Sequence, residues 1–191
     1  NIPEWFIESC KKISYLFPRA HAVAYVMMAF RIAWFKVYHP LAFYAAYFSI
    51  RAKAFDLRIM TGDLNTQLKE FNRIKALDRG ASPKEKDLMS ALEVSMEMYQ
   101  RGYRFINVDI QHSGARRFSI KDGALLPPFL AIDSLGETVA DAIVEEREAK
   151  PFTSLKDLQR RCKVSATIIE TMKELKCCGD LPEDEQMSLF G

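Results

Sequence analysis

Histidine, glycine and paired cysteine are scarce in this chain. Of 191 residues, 8 are Gly, and the 3 His and 4 Cys are too few and too scattered for the usual metal or redox frameworks. His21, His39 and His112 lie far apart, so no zinc or other metal site is expected. Cys10, Cys162, Cys177 and Cys178 form no CxxC pair, and the neighbours Cys177 and Cys178 are badly placed to bond to each other. Reduced thiols in a cytoplasmic protein are the expectation. No GxxxxGK(S/T) phosphate loop, no nucleophile triad and no carboxylate pair with metal spacing is present, so no complete catalytic apparatus is expected. The most apolar stretch, YVMMAFRIAWFKVYHPLAFYAAYFSI at residues 25–50, is broken by Arg31, Lys36, His39 and Pro40. A membrane span needs about 20 uninterrupted apolar residues, so the stretch reads as two buried helices; a membrane-surface protein is an alternative that rests on it alone. The start, NIPEWFIES, has neither Met nor a signal or transit pattern, and reads as part of something longer.

What is present is an ordinary globular composition, 49% apolar and 27% charged, with a net charge of only +2 but an uneven distribution. Residues 1–58 carry Lys11, Lys12, Arg19, Arg31, Lys36, Arg51, Lys53 and Arg58 against Glu4, Glu8 and Asp56. A basic half invites an anionic partner, or is simply a solvated face. Helices are predicted at about 3–16, 20–38 (halting before Pro40) and 41–53. A surface helix is predicted from DLNTQLKEFNRIKAL. SPKEKDLMSALEVSMEMYQRGY is a further helix, with Ser82 as N-cap, Pro83 at the first position, Glu85 closing a capping box, an inward stripe of Leu88, Ala91, Leu92, Met96 and Tyr99, and Gly102 as the stop. The period then changes: FINVDIQ and RRFSI read as strands and KDG as an Asp-Gly turn. The fold class is therefore mostly α (α+β), a helical bundle followed by a small antiparallel β patch and short helices, divided at 1–102, 103–129, 130–181 and a tail at 182–191.

LAIDSLGETVADAIVEERE, residues 130–148, reads as two helical pieces joined by a tight turn at Ser134, Leu135 and Gly136. A glycine there lets backbone approach a phosphate with no Cβ in the way. The first amides of the next helix, around Thr138, are unpaired and the helix dipole favours an anion beside them. This is a helix–hairpin–helix pattern; the alternative is a plain helical hairpin with a glycine cap. Hairpins of this kind usually carry two glycines, and Ser134 takes the first position here. Glu137, beside the turn, is not what a phosphate wants. FTSLKDLQRRCKVSATIIETMKEL follows as helix, turn, helix, with Ser154 and Asp157 resembling a capping box, Ser165 as second cap, and Arg160, Arg161 and Lys163 before the turn. It reads as a degenerate partner hairpin, each covering the other's apolar face.

On an ideal helix His21, Tyr25 and Lys36 share a face within about 60°, with Arg19 just before the helix start. These residue types suit nucleotide phosphates and bases, or alternatively snorkel to water at a domain edge. The last residues, Gln186, Met187, Ser188, Leu189 and Phe190, follow a polar acidic run, DLPEDE, that is expected to be extended and solvated. Such a tail either folds back on its own domain or fills a partner's apolar pocket.

FPRAHAVAYVMMAFRIAWFKVYHPLAFYAAYFSIRA, residues 17–52, resembles the fingers region of bacterial C-family replicative polymerases. The core is Arg19, Ala20, His21, Ala22, Val23, Ala24 and Tyr25, followed by Ala33, Trp34, Phe35, Lys36 and the His39–Pro40 pair. RGYRF, LLPPF and SLGETVADAIVEER continue the likeness in order, and the nearest variant is the PolC-type DNA polymerase III alpha subunit. The resemblance implies the end of the fingers, residues 1–102, then a tandem helix–hairpin–helix domain that binds double-stranded primer-template DNA through Ser134, Gly136, Thr138, Arg160, Arg161 and Lys163. It implies that Arg19, His21, Tyr25 and Lys36 hold a deoxynucleoside triphosphate or template. It implies that QMSLF binds the sliding clamp (beta subunit), and that the partners also include the rest of the polymerase chain but no membrane. The palm carboxylates and their Mg2+ would lie elsewhere in the parent nucleotidyltransferase, so this stretch alone is expected to be inactive and to need no cofactor. A non-catalytic hairpin DNA-binding protein, such as a repair accessory factor, is the other reading.

Overall fold

The computed structural model describes residues 2–13 and 19–184 and forms two compact units, Asn1–Pro40 and Leu41–Gly191. The first unit holds α1 (Glu4–Lys11) and α2 (Arg19–Tyr38). Both helices have no buried residue, which corrects the expectation of a buried helix at 20–38. The physical reason lies in the pattern: α2 carries apolar side chains all round, and such a helix needs cover on every side, which the described residues do not supply. By length and composition alone α2 is also apolar enough to cross a membrane, with a mean hydropathy of 1.2; the centre of a larger core asks the same of a helix. Arg19 is the first residue of α2, not its forerunner.

Helix α3 (Pro40–Ala46), all but its first residue in the second unit, passes into a π-helical turn at Tyr47–Arg51 rather than running on to 53. The wider turn, closed by the Ala52 N–H on the Tyr47 carbonyl at 3.0 Å, goes with Ser49 Oγ accepting the Phe118 N–H at 2.9 Å. Helices α4 (Leu57–Met60), α5 (Leu64–Leu77) and α6 (Pro83–Gln100) follow. The capping box of α6 forms as its residues dictate: Ser82 Oγ accepts the Glu85 N–H and Glu85 accepts the Ser82 N–H. The buried face of α6 is Ala91, Leu92, Ser95 and Met98. Met96, expected inside, is only half-buried. A polar network turns that face: Ser95 donates to Gln67 Oε1 at 2.6 Å, and Gln67 donates to the Met60 carbonyl at 3.1 Å. Tyr44, fully buried, donates to Glu97 at 2.7 Å. Burial, reinforced by that carboxylate, pushes its phenol up to about 12.

Two hydrophobic cores lie in this unit. One gathers Tyr44, Phe48, Met60, Ile74, Leu92, Met98, Phe105 and Leu125; the other Val108, Ile110, Phe129, Ile132, Ile143, Leu158 and Met172. FINVDIQ, expected as a strand, is instead the thread between them. Phe105 makes a single bridge to Leu125, after which Ile110 N–H goes to the Cys177 carbonyl at 3.1 Å. The segment changes partners midway, so no ladder can extend. The sheet is one antiparallel hairpin, β1 (Ser119–Lys121) with β2 (Ala124–Leu126), so RRFSI becomes a strand only in part. Its turn places Asp122 at φ 50° and Gly123 at φ 74°, the left-handed pair that an Asp-Gly hairpin demands. After a 3-10 turn at Phe129–Ala131, α7 (Glu137–Ala149), α8 (Leu155–Cys162) and α9 (Ala166–Glu174) complete the second core. All four cysteines are free thiols.

Candidate nucleic-acid interface

The first hairpin is shorter than its sequence suggests, since its leading helix is only the 3-10 turn Phe129–Ala131. The turn itself has a definite geometry. Ser134 is left-handed at φ 65°, Leu135 is buried at 4% exposure, and Gly136 caps α7 with φ −77°. Helical bonding begins with the Val139 and Ala140 N–H groups on the Gly136 carbonyl, leaving those of Glu137 and Thr138 outside it. A Cβ placed on Gly136 would meet nothing within 4 Å, and its φ suits any residue. The glycine is thus not required by the fold, and the space before it is open to a ligand.

The second hairpin repeats this turn without glycine. Lys163 is left-handed at φ 54°, Val164 is buried at 2% exposure, and Ser165 caps α9 by accepting the Ile168 N–H. Ser134–Leu135–Gly136 and Lys163–Val164–Ser165 are therefore two copies of one device: a left-handed residue, an apolar anchor and a cap. The anchors, with Ala140, Ile143, Leu158, Ile169 and Met172, share one core, so the hairpins cover each other.

The three cations of the second hairpin differ sharply. Lys163 and Arg160 are exposed, Arg160 pairing with Asp157 at 2.9 Å. Arg161 is 15% exposed, donates to Glu146, to Asp157 and to the main-chain carbonyls of Glu146 and Lys150, and lies over the Phe152 ring at 4.7 Å. Arg161 is a staple between α7 and α8 in this fold. Asp157 is its counterpart: burial works to raise its carboxyl, but Arg160, the Thr153 N–H and Arg161 outweigh that and hold it below the usual aspartate value. The reciprocal arm of the expected Ser154 capping box goes to the Thr153 N–H at 3.3 Å.

Two features here are invisible in the sequence. Arg116 binds Glu137 and Asp141 on the first turns of α7, its Nε reaching Asp141 at 3.0 Å. That pairing lowers the Asp141 carboxyl. The acidic run is not a solvated linker throughout. The carbonyls of Pro182 and Glu183 accept the Leu155 and Lys156 N–H groups at 2.9 and 3.2 Å, Lys173 pairs with Glu183 and Lys156 with Asp184. Gln186, Met187, Ser188, Leu189 and Phe190 lie outside the described residues.

In the first unit His21 and Tyr25 meet edge to face at 4.5 Å. Lys36, on the same face, sits fifteen residues on, about 22 Å along the axis. The stripe thus has two ends, with Arg19, His21 and Tyr25 at one and Lys36 at the other. Among the described residues no group of His, Cys, Asp and Glu could hold a metal ion.

The helix-hairpin-helix motif family matches residues 102–187. A DNA polymerase III PolC-type protein of Caldanaerobacter subterraneus subsp. tengcongensis is 50% identical over 190 residues, covering 100% of this chain and 14% of that polymerase. Those of Streptococcus sanguinis and Streptococcus pyogenes serotype M12 are 48% and 47% identical over 192 residues, covering 13% of each. Along its whole length the chain is PolC-like. It spans about one seventh of the length of the curated relatives it matches. The PolC likeness and the hairpin family agree with the paired turns found here, and with a mostly helical fold carrying one small sheet.

Proposed function

We propose that this PolC-type segment positions nucleotide and primer-template DNA within a replicative DNA-directed DNA polymerase. The observation that carries the reading is the pair of hairpin turns built alike, each a left-handed residue, a buried apolar anchor and a helix cap, one with an open glycine, in a chain that is PolC-like throughout. Unpaired amides at the head of α7 and the exposed Lys163 and Arg160 suit backbone phosphates, which hold a duplex without reading its sequence. Ser134, Gly136 and Thr138 are the contacts of the first hairpin. In this reading the palm carboxylates that hold Mg2+ for phosphoryl transfer belong to another part of the parent polymerase, and this segment alone is expected not to extend a primer; primer extension by the purified chain would refute that. The polymerase is cytoplasmic, and the remainder of its chain covers α2.

The test of the hairpin reading is fluorescence anisotropy on two unrelated duplexes across a salt series. Affinity should be nearly equal for the two sequences and drop steeply with salt as counterions are released, by roughly 10³-fold between 50 and 200 mM for about six phosphate contacts. Gly136→Val should weaken binding while lowering the melting temperature by only about 2–4 °C, the cost of a valine at the N-cap, because a Cβ at this position meets nothing within 4 Å in the free protein. A strong sequence preference or a flat salt response would contradict the assignment.

The α2 stripe is assigned to nucleotide and template. In the intact polymerase, Lys36→Ala should raise the apparent KM for nucleotide several-fold with kcat little changed, because ground-state phosphate binding is lost. His21 and Tyr25, at the far end, then serve a different part of the bound nucleotide and template. Normal kinetics with a lower melting temperature would make Lys36 structural.

A further inference from the structure

Glu137 and Asp141 stand four residues apart on α7, on one face and in its first turns, where two like charges repel each other and would also repel an incoming phosphate. The chain answers this from 21 residues upstream. Arg116 spends three of its five N–H donors on the pair, two on Asp141 and one on Glu137. Its backbone is delivered there by a built connection: Phe129 and Leu130 donate their N–H groups to the Gly114 and Ala115 carbonyls at 2.9 and 3.0 Å, and Ser113 Oγ donates to the Pro127 carbonyl at 2.8 Å. The residues just before Arg116 are thus fastened to the turn that opens the hairpin. Lys53 lines the same cleft as Arg116, which also includes Ser49 and Asp133 and measures about 280 Å³.

Resting on the hairpin reading above, we infer that Arg116 is a positioning residue for duplex binding: by pairing with Glu137 and Asp141 it removes one of two negative charges from the end of α7 that a backbone phosphate approaches. It acts through the two carboxylates. The hairpin tolerates acids beside its turn because a third element supplies the missing cation. Loss of Arg116 exposes two unscreened carboxylates, and the penalty is greatest at low ionic strength, where such charges act over about 10 Å or more.

The experiment is anisotropy of the full chain on one labelled duplex at about 50 and 200 mM salt, with melting temperatures alongside. Arg116→Gln should weaken binding roughly five- to tenfold at the lower salt, more than Arg79→Gln, an equally simple loss of one exposed cation in the 3-10 turn Asp78–Gly80. Adding Glu137→Gln and Asp141→Asn to Arg116→Gln should restore wild-type affinity or better. The same two substitutions in the wild-type background should tighten binding, a readout independent of how Arg116→Gln folds. If the triple variant stays as weak as Arg116→Gln, Arg116 contacts phosphate directly and the inference fails. Wild-type affinity in Arg116→Gln also overturns it while leaving the hairpin reading intact. A wild-type chain that binds no duplex at either salt overturns both.

Discussion

Asp157→Ala is expected to destabilise the hairpin domain by about 3 kcal/mol. The carboxylate is 5% exposed and accepts from Arg160, Arg161 and the Thr153 N–H. Removing it leaves Arg161, itself 15% exposed, with part of its charge unanswered. Breaking a buried pair from one side costs roughly 3–5 kcal/mol, and the low end applies because Glu146 still holds Arg161 at 2.9 Å. For a chain of this size the melting temperature should fall by roughly 6–12 °C. Arg160→Ala, at a side chain 74% exposed, is the contrast and should stay within about 0.5 kcal/mol. The sign of the pH effect follows from the lowered carboxyl. Its contribution is fully present above the ordinary aspartate value of about 3.9 and is lost as pH falls through the lower folded value. Urea melts of wild type and Asp157→Ala at neutral and acid pH test this: the gap between them should narrow in acid. Indistinguishable melts at neutral pH would remove Asp157 from the account.

Leu189→Ala with Phe190→Ala is expected to abolish binding to the sliding clamp and leave duplex binding unchanged. Pro182, Glu183 and Asp184 are fastened to the start of α8, so the chain is held to the hairpin domain as far as Asp184. Each large apolar side chain is worth roughly 1.5–3 kcal/mol when fully covered by a partner, and part of that is spent on ordering the segment. A free QMSLF peptide should therefore bind modestly, and the chain held on DNA more tightly, since tethering raises effective concentration without a new contact. Calorimetry with the cognate clamp, wild type beside the double variant, measures it. Equal heats from both proteins would give the tail another purpose, such as folding back on its own domain.

Local chemistry was legible from the residues alone. Ser82 and Glu85 are three positions apart, Asp122 and Gly123 adjacent, and Ser134 to Gly136 span a single turn; each device needs only its neighbours and the backbone conformations they permit. The turns of the two hairpins and the capping box of α6 followed from the same short-range rules, and the PolC likeness from the order of motifs, whereas the end of α3 and the short leading piece of the first hairpin did not. Tertiary structure alone decided what depends on distant partners. The inward face of α6 turned to Ser95 because Gln67 waits across on α5. FINVDIQ could not become a strand because its partners change from Leu125 to Cys177. Arg161 and Arg160, adjacent and alike in sequence, parted when α7 and the Lys150 carbonyl closed around one of them. The acidic run before the tail found α8's unpaired amides. And Glu137, an obstacle when read along the chain, is matched by Arg116 from 21 residues away, because a charge pair is set by distance in space, which chain order does not encode.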